Sequence, residues 1–395
     1  MKTQAGAPEV FLSFLRLGLT SFGGPVAHLS YFRAEFVGRR KWLDEAAYAD
    51  LISLCQFLPG PASSQIAIAL GYFRAGYAGG LAAWLGFTLP SAVAMVAFAY
   101  GVGQMGDLSH VAWLHGLKIV AVAVVAQAVR AMAQRLCPDR IRAALALAAA
   151  ALMLAFPTAG GQIGVLVAGG LIGWAFLPAE ADLRAIAMPA PSQAAGVAAG
   201  VAFVVLLFGL PLLADATSNH ALALFSAFYR AGSLVFGGGH VVLPLLQQAV
   251  VPPGWIGNDA FLAGYGAAQA VPGPLFTFAA YLGAAMRPTP NGGVGALIAL
   301  IAIYLPSFLL LIAALPFWGV LRQRAAAQAA LKGVNAAVVG LLLAALCTPV
   351  WTSAIFTPAD FGLALAAFLL LTFWQIPPWL VVIFGALGAE ILARL

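Results

Sequence analysis

The sequence predicts an all-α integral membrane protein of two inverted-topology repeats with Gly/Pro-broken, re-entrant helices, joined by one extra transmembrane helix. Three observations carry this reading. Of 395 residues, 63% are hydrophobic and only 8% are charged, where a soluble domain carries about 25% charged residues. Apolar runs at 79–100, 194–213 and 292–316 approach or exceed the ~20 residues a membrane helix needs, without the alternation of a β-barrel. Finally, a set of helix-breaking motifs in the first half returns in the second.

Those motifs are Phe22-Gly23-Gly24-Pro25 and Pro59-Gly60-Pro61, then Phe236-Gly237-Gly238-Gly239 and Pro272-Gly273-Pro274. Glycine weakens a helix through backbone entropy, and proline lacks an N–H and clashes with the preceding turn. In hydrocarbon the freed backbone groups are tolerated only where protein or a water-filled cavity surrounds them. Gly/Pro-interrupted apolar segments at matching places of two halves point to a transporter's binding site.

Taken in order, residues 10–37 are apolar and broken at 21–25. The polar stretch that follows carries Arg33, Glu35, Arg39, Arg40, Lys41, Asp44 and Glu45. Residues 47–73 are apolar and broken at 59–61. Spans follow at 79–100, 110–130, 143–156 and 162–177, the last two short enough for tilted or partial crossings. Residues 178–193, with Pro178, Glu180, Asp182, Arg184, Pro189 and Pro191, read as a linker loop. The domain division is 1–193 for the first repeat, 194–213 for the linker helix and 214–395 for the second repeat. The first apolar run carries Arg16 and reads as mature protein, with no cleavable signal. Cys55, Cys137 and Cys347 are scattered, which suggests neither a disulfide framework nor a zinc site.

The second half restarts the pattern about 214 positions on. Arg16 pairs with Arg230, Gly23-Gly24 with Gly237-Gly238, Trp42 with Trp255 and Gln56 with Gln269. Pro59-Gly60-Pro61 pairs with Pro272-Gly273-Pro274, Leu89-Pro90-Ser91 with Leu305-Pro306-Ser307, and Leu117-Lys118 with Leu331-Lys332. The identities fall on Gly, Pro, Gln, Arg and Lys, which shared hydrophobicity alone does not match. Lys and Arg enrich cytoplasmic loops. The loops at 33–41 and 130–142 are basic, while their counterparts at 246–258 and 345–358 have no Lys or Arg. The next loop reverses the relation: 101–109 has none, and 317–324 has Arg322 and Arg324. Opposite orientation of the halves is the simplest account. If each broken segment is a re-entrant hairpin, every loop falls on its expected side, with the N-terminus inside and the C-terminus outside.

Broken helices expose unpaired N–H groups and a partial positive charge at their N-termini, which suits anions. Gly23, Gly24, Gly60, Pro61, Gly237, Gly238, Gly273 and Pro274, with Pro59 and Pro272, are therefore candidate anion-facing turns. Arg16, Lys118, Arg230 and Lys332 are cations inside apolar segments, and such residues mark a substrate path by default; snorkelling to an interface is the competing explanation for the arginines. Gln56 and Gln269 can donate amide hydrogens to an oxyanion, and Ser64 and Thr277 can donate hydroxyls. Asp50, whose partner position is Ala263, falls outside the symmetric set. His28 and His240 are not aligned and read as interfacial residues, although either can titrate. Acidic groups are nearly missing at the same depth, so a cationic cavity that selects anions is expected.

These residues resemble the chromate ion transporter family in its long, two-domain form. The resemblance rests on Gly18 to Pro25, on Gln56-Phe57-Leu58-Pro59-Gly60-Pro61, and on their copies at 232–239 and 269–274. It covers nearly the whole chain. It implies a multi-pass protein of the bacterial inner membrane that exports the chromate dianion and so confers chromate resistance. It implies a secondary transporter driven by membrane potential or proton exchange, with a sulfate or other oxyanion carrier of the same fold as the alternative. The sequence holds no HExxH, no paired carboxylates, no Ser-His-Asp grouping that can meet in the membrane and no GxxxxGK[ST]. An enzyme and an ATP-driven pump are therefore disfavoured, and no cofactor, metal or nucleic-acid partner is expected. The partners expected are chromate, or sulfate, and the lipid bilayer; a homodimer is left open.

Overall fold

The computed structural model describes residues 6–104, 111–178 and 188–394. Glu180, Asp182 and Arg184 of the linker loop, and residues 105–109 of the loop without Lys or Arg, lie outside the described residues. Every regular element described is helical.

α1 (Ala7–Thr20) ends at Ser21, and α2 (Gly24–Phe32) begins after Gly23 at φ 97° and Gly24 at φ 75°. That left-handed backbone reverses the chain. A wider π-helical stretch, Arg33–Arg39, continues α2. The Phe14 ring lies 4.8 Å from Phe36 and 5.7 Å from Phe32, and Arg40 pairs with Glu9 at 3.1 Å. The two limbs therefore form a hairpin whose ends meet. α3 (Glu45–Phe57) is capped by Asp44, which accepts the Ala47 N–H at 2.8 Å. It turns at Leu58–Pro61 into α4 (Ala62–Gly103). α4 folds back again at Ala75 and Gly76, the latter at φ 62°. Gly71 and Gly79 pack so closely that a Cβ on either would strike the other's carbonyl oxygen; a continuous helix would hold residues eight apart at about 12 Å. The Arg74 guanidinium, at the end of the first arm of α4 (62–74), sits 5.5 Å over Trp42.

α5 (Ala112–Leu136), α6 (Arg140–Ala155), α7 (Ala159–Phe176) and α8 (Gln193–Thr217) complete the first half and the linker. The second half runs α9 (His220–Ser233), α10 (Val242–Val250), α11 (Asn258–Ala268), α12 (Phe278–Ala285), α13 (Gly292–Ala314), α14 (Trp318–Leu321), α15 (Ala325–Ala345), α16 (Pro358–Thr372) and α17 (Pro378–Leu392). Its hairpins match the first. The His220 ring lies 4.6 Å from Trp255, and the Trp255 carbonyl accepts the Arg287 N–H at 3.0 Å. Gly283 and Gly295 repeat the collision-close packing of Gly71 and Gly79.

The second arm of α4 (77–103) leaves the Trp42 end and finishes where the Tyr100 hydroxyl accepts the Gly293 N–H at 3.0 Å. α13 starts there, beside Trp255, and finishes at α14. There Trp318 Nε1 and Arg322 Nη1 both donate to Asp50 Oδ1, at 3.0 and 2.8 Å. These two helices thus run in opposite directions between a Trp42 end and a Trp255 end. At the Trp42 end, burial pushes the Glu35 carboxyl up, but Arg39 and Arg40 outweigh it and hold the group below its ordinary range.

Each half also covers the other. α6 and α7 pack on α15, where Gly340 meets Ala146 and Gly333 meets Gly169 and Gly173; α17 packs on α5, where Gly116 meets Gly385. Small residues at these crossings let backbones approach closely. Among the described residues, five helical segments are long and apolar enough to cross a membrane: Ala62–Gly103, Ala112–Leu136, Gln193–Thr217, Gly292–Leu321 and Ala325–Trp351. The linker helix α8 presents Val201, Val205, Phe208 and Leu212 outward, an apolar face suited to lipid.

Close backbone packing sets the cost of adding side chains. A Cβ on Gly18 would lie 2.7 Å from the Gly86 carbonyl oxygen, and one on Gly232 would strike that of Ile303, while one on Gly101 meets nothing. Gly18→Val and Gly232→Val are each expected to cost about 1–3 kcal/mol or more. Gly101→Ala is expected to be neutral or to stabilise by about 0.4–1 kcal/mol. Thermal unfolding of the detergent-purified variants reads both.

Candidate functional site

The four breaks meet and exchange hydrogen bonds. The Gly60 N–H donates to the Val235 carbonyl at 2.7 Å, and the Gly273 N–H donates to the Ser21 carbonyl at 2.9 Å. Gly60 and Gly273 are matching positions, as are Ser21 and Val235. Each Pro-Gly-Pro turn of one half therefore holds the Gly-Gly turn of the other. Gly60 at φ 121° and Gly273 at φ 95° use backbone that only glycine adopts freely. A Cβ on Gly60 would lie 2.8 Å from Ser307 Oγ, and one on Gly273 would lie 2.9 Å from Ser91 Oγ. The two Leu-Pro-Ser serines are thus exchanged as well.

The exchange sorts the expected turn residues into two groups. Gln56, Pro59, Gly60 and Pro61 gather with Gly237 and Gly238; Gln269, Pro272, Gly273 and Pro274 gather with Gly23 and Gly24. Gln56 and Gly237 are exposed. Arg135, from the last turn of α5, donates to Gln56 Oε1 at 2.6 Å. Gly237 faces Met132 and Leu136 of α5 and Asn335 of α15. In the second group Gly23 is exposed, Phe22 lies 6.0 Å from Trp379, and Gln269 Nε2 is buried without a partner.

His28 lies inside the protein and not at an interface, whereas His240 is half-buried. His28 is fully buried, and its Nε2 donates to the Ser21 carbonyl at 3.2 Å, the same oxygen that holds Gly273. His240 Nδ1 lies 2.7 Å from the Tyr265 hydroxyl. Helix reversal at the Gly breaks draws both inward, which a straight span would not do.

The four cations do not join the breaks. Lys118 Nζ pairs with Asp259 Oδ1 at 3.0 Å, in the first turn of α11, where an acid is favoured by the helix dipole. Lys332 Nζ donates to the Pro178 carbonyl at 2.6 Å. The first lysine sits toward the Trp255 end and the second near the start of α15, after Arg322 and Arg324. They therefore do not line one hollow: a long cationic side chain meets a nearby acid or carbonyl sooner than a distant cavity. Arg16 is exposed, and Arg230 is half-buried beside Gln162 and Gln248 in a small cavity between α9, α10 and α7.

Sequence reasoning passed over Arg135, the Arg74–Arg287 pair and the Asp50–Arg322 pair. Arg135 counted only as a loop charge. Arg74 and Arg287 keep the repeat spacing, and each sits against its half's tryptophan, so the repeat itself carried that signal. Asp50 stood out as asymmetric, but its partner is far along the chain.

Chemically, four short helices begin at the meeting point, and their N-termini can stabilise negative charge. Paired halves of broken helices, crossed by long apolar spans, define a membrane transporter and not an enzyme. The chain matches the chromate transporter family over residues 8–174 and 222–389 and belongs to that family. It is 29% identical over 342 residues to the chromate transport protein of Pseudomonas aeruginosa, covering 85% of this chain and 79% of that one. It is 26% identical over 385 residues to the chromate transport protein of Cupriavidus metallidurans, covering 96% and 91%. An uncharacterised transporter of Methanocaldococcus jannaschii is 25% identical over 353 residues, covering 87% and 84%. No solved structure matches it.

The Asp50–Arg322 pair gives a stability test, since the side chains are 5% and 2% exposed. Asp50→Ala strands a buried guanidinium and is expected to cost about 3–5 kcal/mol. Asp50→Ala combined with Arg322→Met is expected to recover most of that loss in a thermal-unfolding double-mutant cycle.

Proposed function

We propose that the protein is a secondary transporter that expels a tetrahedral dianion, chromate, across the bacterial inner membrane. The observation that carries this reading is the reciprocal exchange between breaks, which seats each Pro-Gly-Pro turn against the Gly-Gly turn of the other half. Family membership and the relatives named for chromate transport support the substrate. A membrane potential of ~100 mV, negative inside, favours exit of each negative charge by ~2.3 kcal/mol, so a dianion gains about twice that. Export can run on the potential alone or with proton exchange.

In this reading the repeats are 1–193 and 214–395, inserted with opposite orientation and connected by α8. The hairpins α1–α2, α3 with the first arm of α4, α9–α10 and α11–α12 are re-entrant. Supporting this, Trp42 and Trp255 mark opposite ends. Arg33, Arg39, Arg40, Lys41, Arg74 and Arg322 gather at the first, and the positive-inside rule favours the cytoplasm for it. The Arg135–Gln56 group then faces the cytoplasm, where Arg135 collects the anion before it reaches the Gly60–Val235 contact. Gly23, Gly24, Gln269 and Gly273 face the exit side.

Everted membrane vesicles test the reading with labelled chromate. Uptake is expected to saturate, to be inhibited by excess sulfate, and to respond to a protonophore if protons are exchanged. Absence of uptake by the intact protein sinks the proposal. Arg135→Gln is expected to raise the half-saturating concentration several-fold, as loss of an attracting charge does, while Lys332→Gln leaves it unchanged.

A further inference from the structure

Buried hydroxyls without partners are uncommon, and each calls for an explanation. Here a group of them lies beside Gly60 and along the crossing of α4 and α13. Ser64 Oγ, Thr88 Oγ1, Tyr304 Oη and Ser307 Oγ are all buried, and none makes a hydrogen bond of good geometry. They come from three helices of both halves: the first arm of α4, its second arm, and α13. Ser307 Oγ abuts Gly60, and the Tyr304 hydroxyl faces those of Ser64 and Thr88. Gln65, one position on from Ser64, donates from Nε2 to the Pro59 carbonyl at 2.7 Å and pins the turn. Its Oε1 is also unpartnered; it is the one member of the group that an anion does not satisfy, and a bridging water suits it.

The matching positions of the other half behave differently. Thr277, the counterpart of Ser64, donates its hydroxyl to the Pro274 carbonyl at 2.8 Å. Ser91, the counterpart of Ser307, donates to the Thr88 carbonyl at 3.1 Å. Thr88 and Tyr304 are themselves counterparts, so both lie where the halves cross. The unspent hydroxyls of Ser64 and Ser307 thus lie on the Gly60 side, while the Gly273 side keeps Ser21 Oγ and the Gln269 amide unpartnered.

We propose that Ser64, Thr88, Tyr304 and Ser307, with the Gly60 N–H at the N-terminus of the first arm of α4, form one occluded binding site for a tetrahedral oxyanion dianion. The site rests on the transport reading above and gives it a location. Four hydroxyls and one backbone N–H can together direct hydrogens to the four oxygens of such an anion. Charged acceptors form the stronger hydrogen bonds. In the structure the Gly60 N–H is held by Val235; parting of the two turns frees it and admits the anion. At the second-half turn the Thr277 and Ser91 hydroxyls are already spent on the Pro274 and Thr88 carbonyls.

The test uses the full-length protein in detergent, with sodium sulfate as the probe against sodium chloride at equal ionic strength, then with chromate. Calorimetry is expected to give one sulfate per chain, and sulfate is expected to raise the unfolding temperature. Tyr304→Phe and Thr88→Val should each weaken sulfate binding roughly tenfold or more, the loss of one hydrogen bond to a charged group. Both should also raise the unfolding temperature without sulfate, because an unsatisfied buried hydroxyl is removed. Ser307→Ala is a third variant of the same kind. Thr277→Val, at the satisfied counterpart, should leave affinity within about twofold. Unchanged affinity in Tyr304→Phe and Thr88→Val, two sulfates per chain, or an equal loss in Thr277→Val overturns the site. If the unmodified protein transports chromate and only the variants fail to respond, the site falls alone; if it neither binds nor transports any oxyanion, the transport reading falls with it.

Discussion

A backbone N–H buried in a low-dielectric interior must find an acceptor, and at Gly60 and Gly273 the acceptor belongs to the other half of the chain. Breaking a helix inside hydrocarbon leaves such groups behind, at a cost of several kcal/mol for each one left unmatched. Gly60 reaches Val235 and Gly273 reaches Ser21, so each half supplies the acceptor for the N–H of the other's Pro-Gly-Pro turn. The same mutual dependence governs the larger packing: α6 and α7 rest on α15, and α17 rests on α5.

Within this near-symmetric frame the departures from symmetry are chemical. Asp50 is buried against Arg322, where the matching residue of the second half is Ala263. Asp259 pairs with Lys118, where the first half has Ala46. Arg135 reaches Gln56, while Gln269 keeps an unpartnered amide. Matching backbone positions thus carry divergent side chains in the two halves.

The helix breaks and the long apolar spans were legible because Gly, Pro and apolar runs act through local backbone physics. The turn residues were legible for the same reason: Gly23, Gly24, Gly60, Gly237 and Gly273 all adopt positive φ. The fate of the lysines was not legible, because Lys118 finds Asp259 across 141 positions, and a side chain's partner depends on tertiary packing that periodicity does not encode. Arg322 with Asp50, 272 positions apart, was hidden by the same separation. The fold-back at Ala75 and Gly76 falls between the apolar segments 47–73 and 79–100 read from the sequence.

The crossing of α6 and α7 onto α15 bears on how the chain is made. Synthesis delivers the first half to the membrane while α15 is still unwritten. Until residues near 340 leave the ribosome, Gly169 and Gly173 have no Gly333 to meet, and the Gly60 turn has no Val235 until slightly earlier. The nascent first half therefore waits in an unfinished state, sheltered by the insertion machinery or by lipid. Final assembly is a late event that closes both halves together.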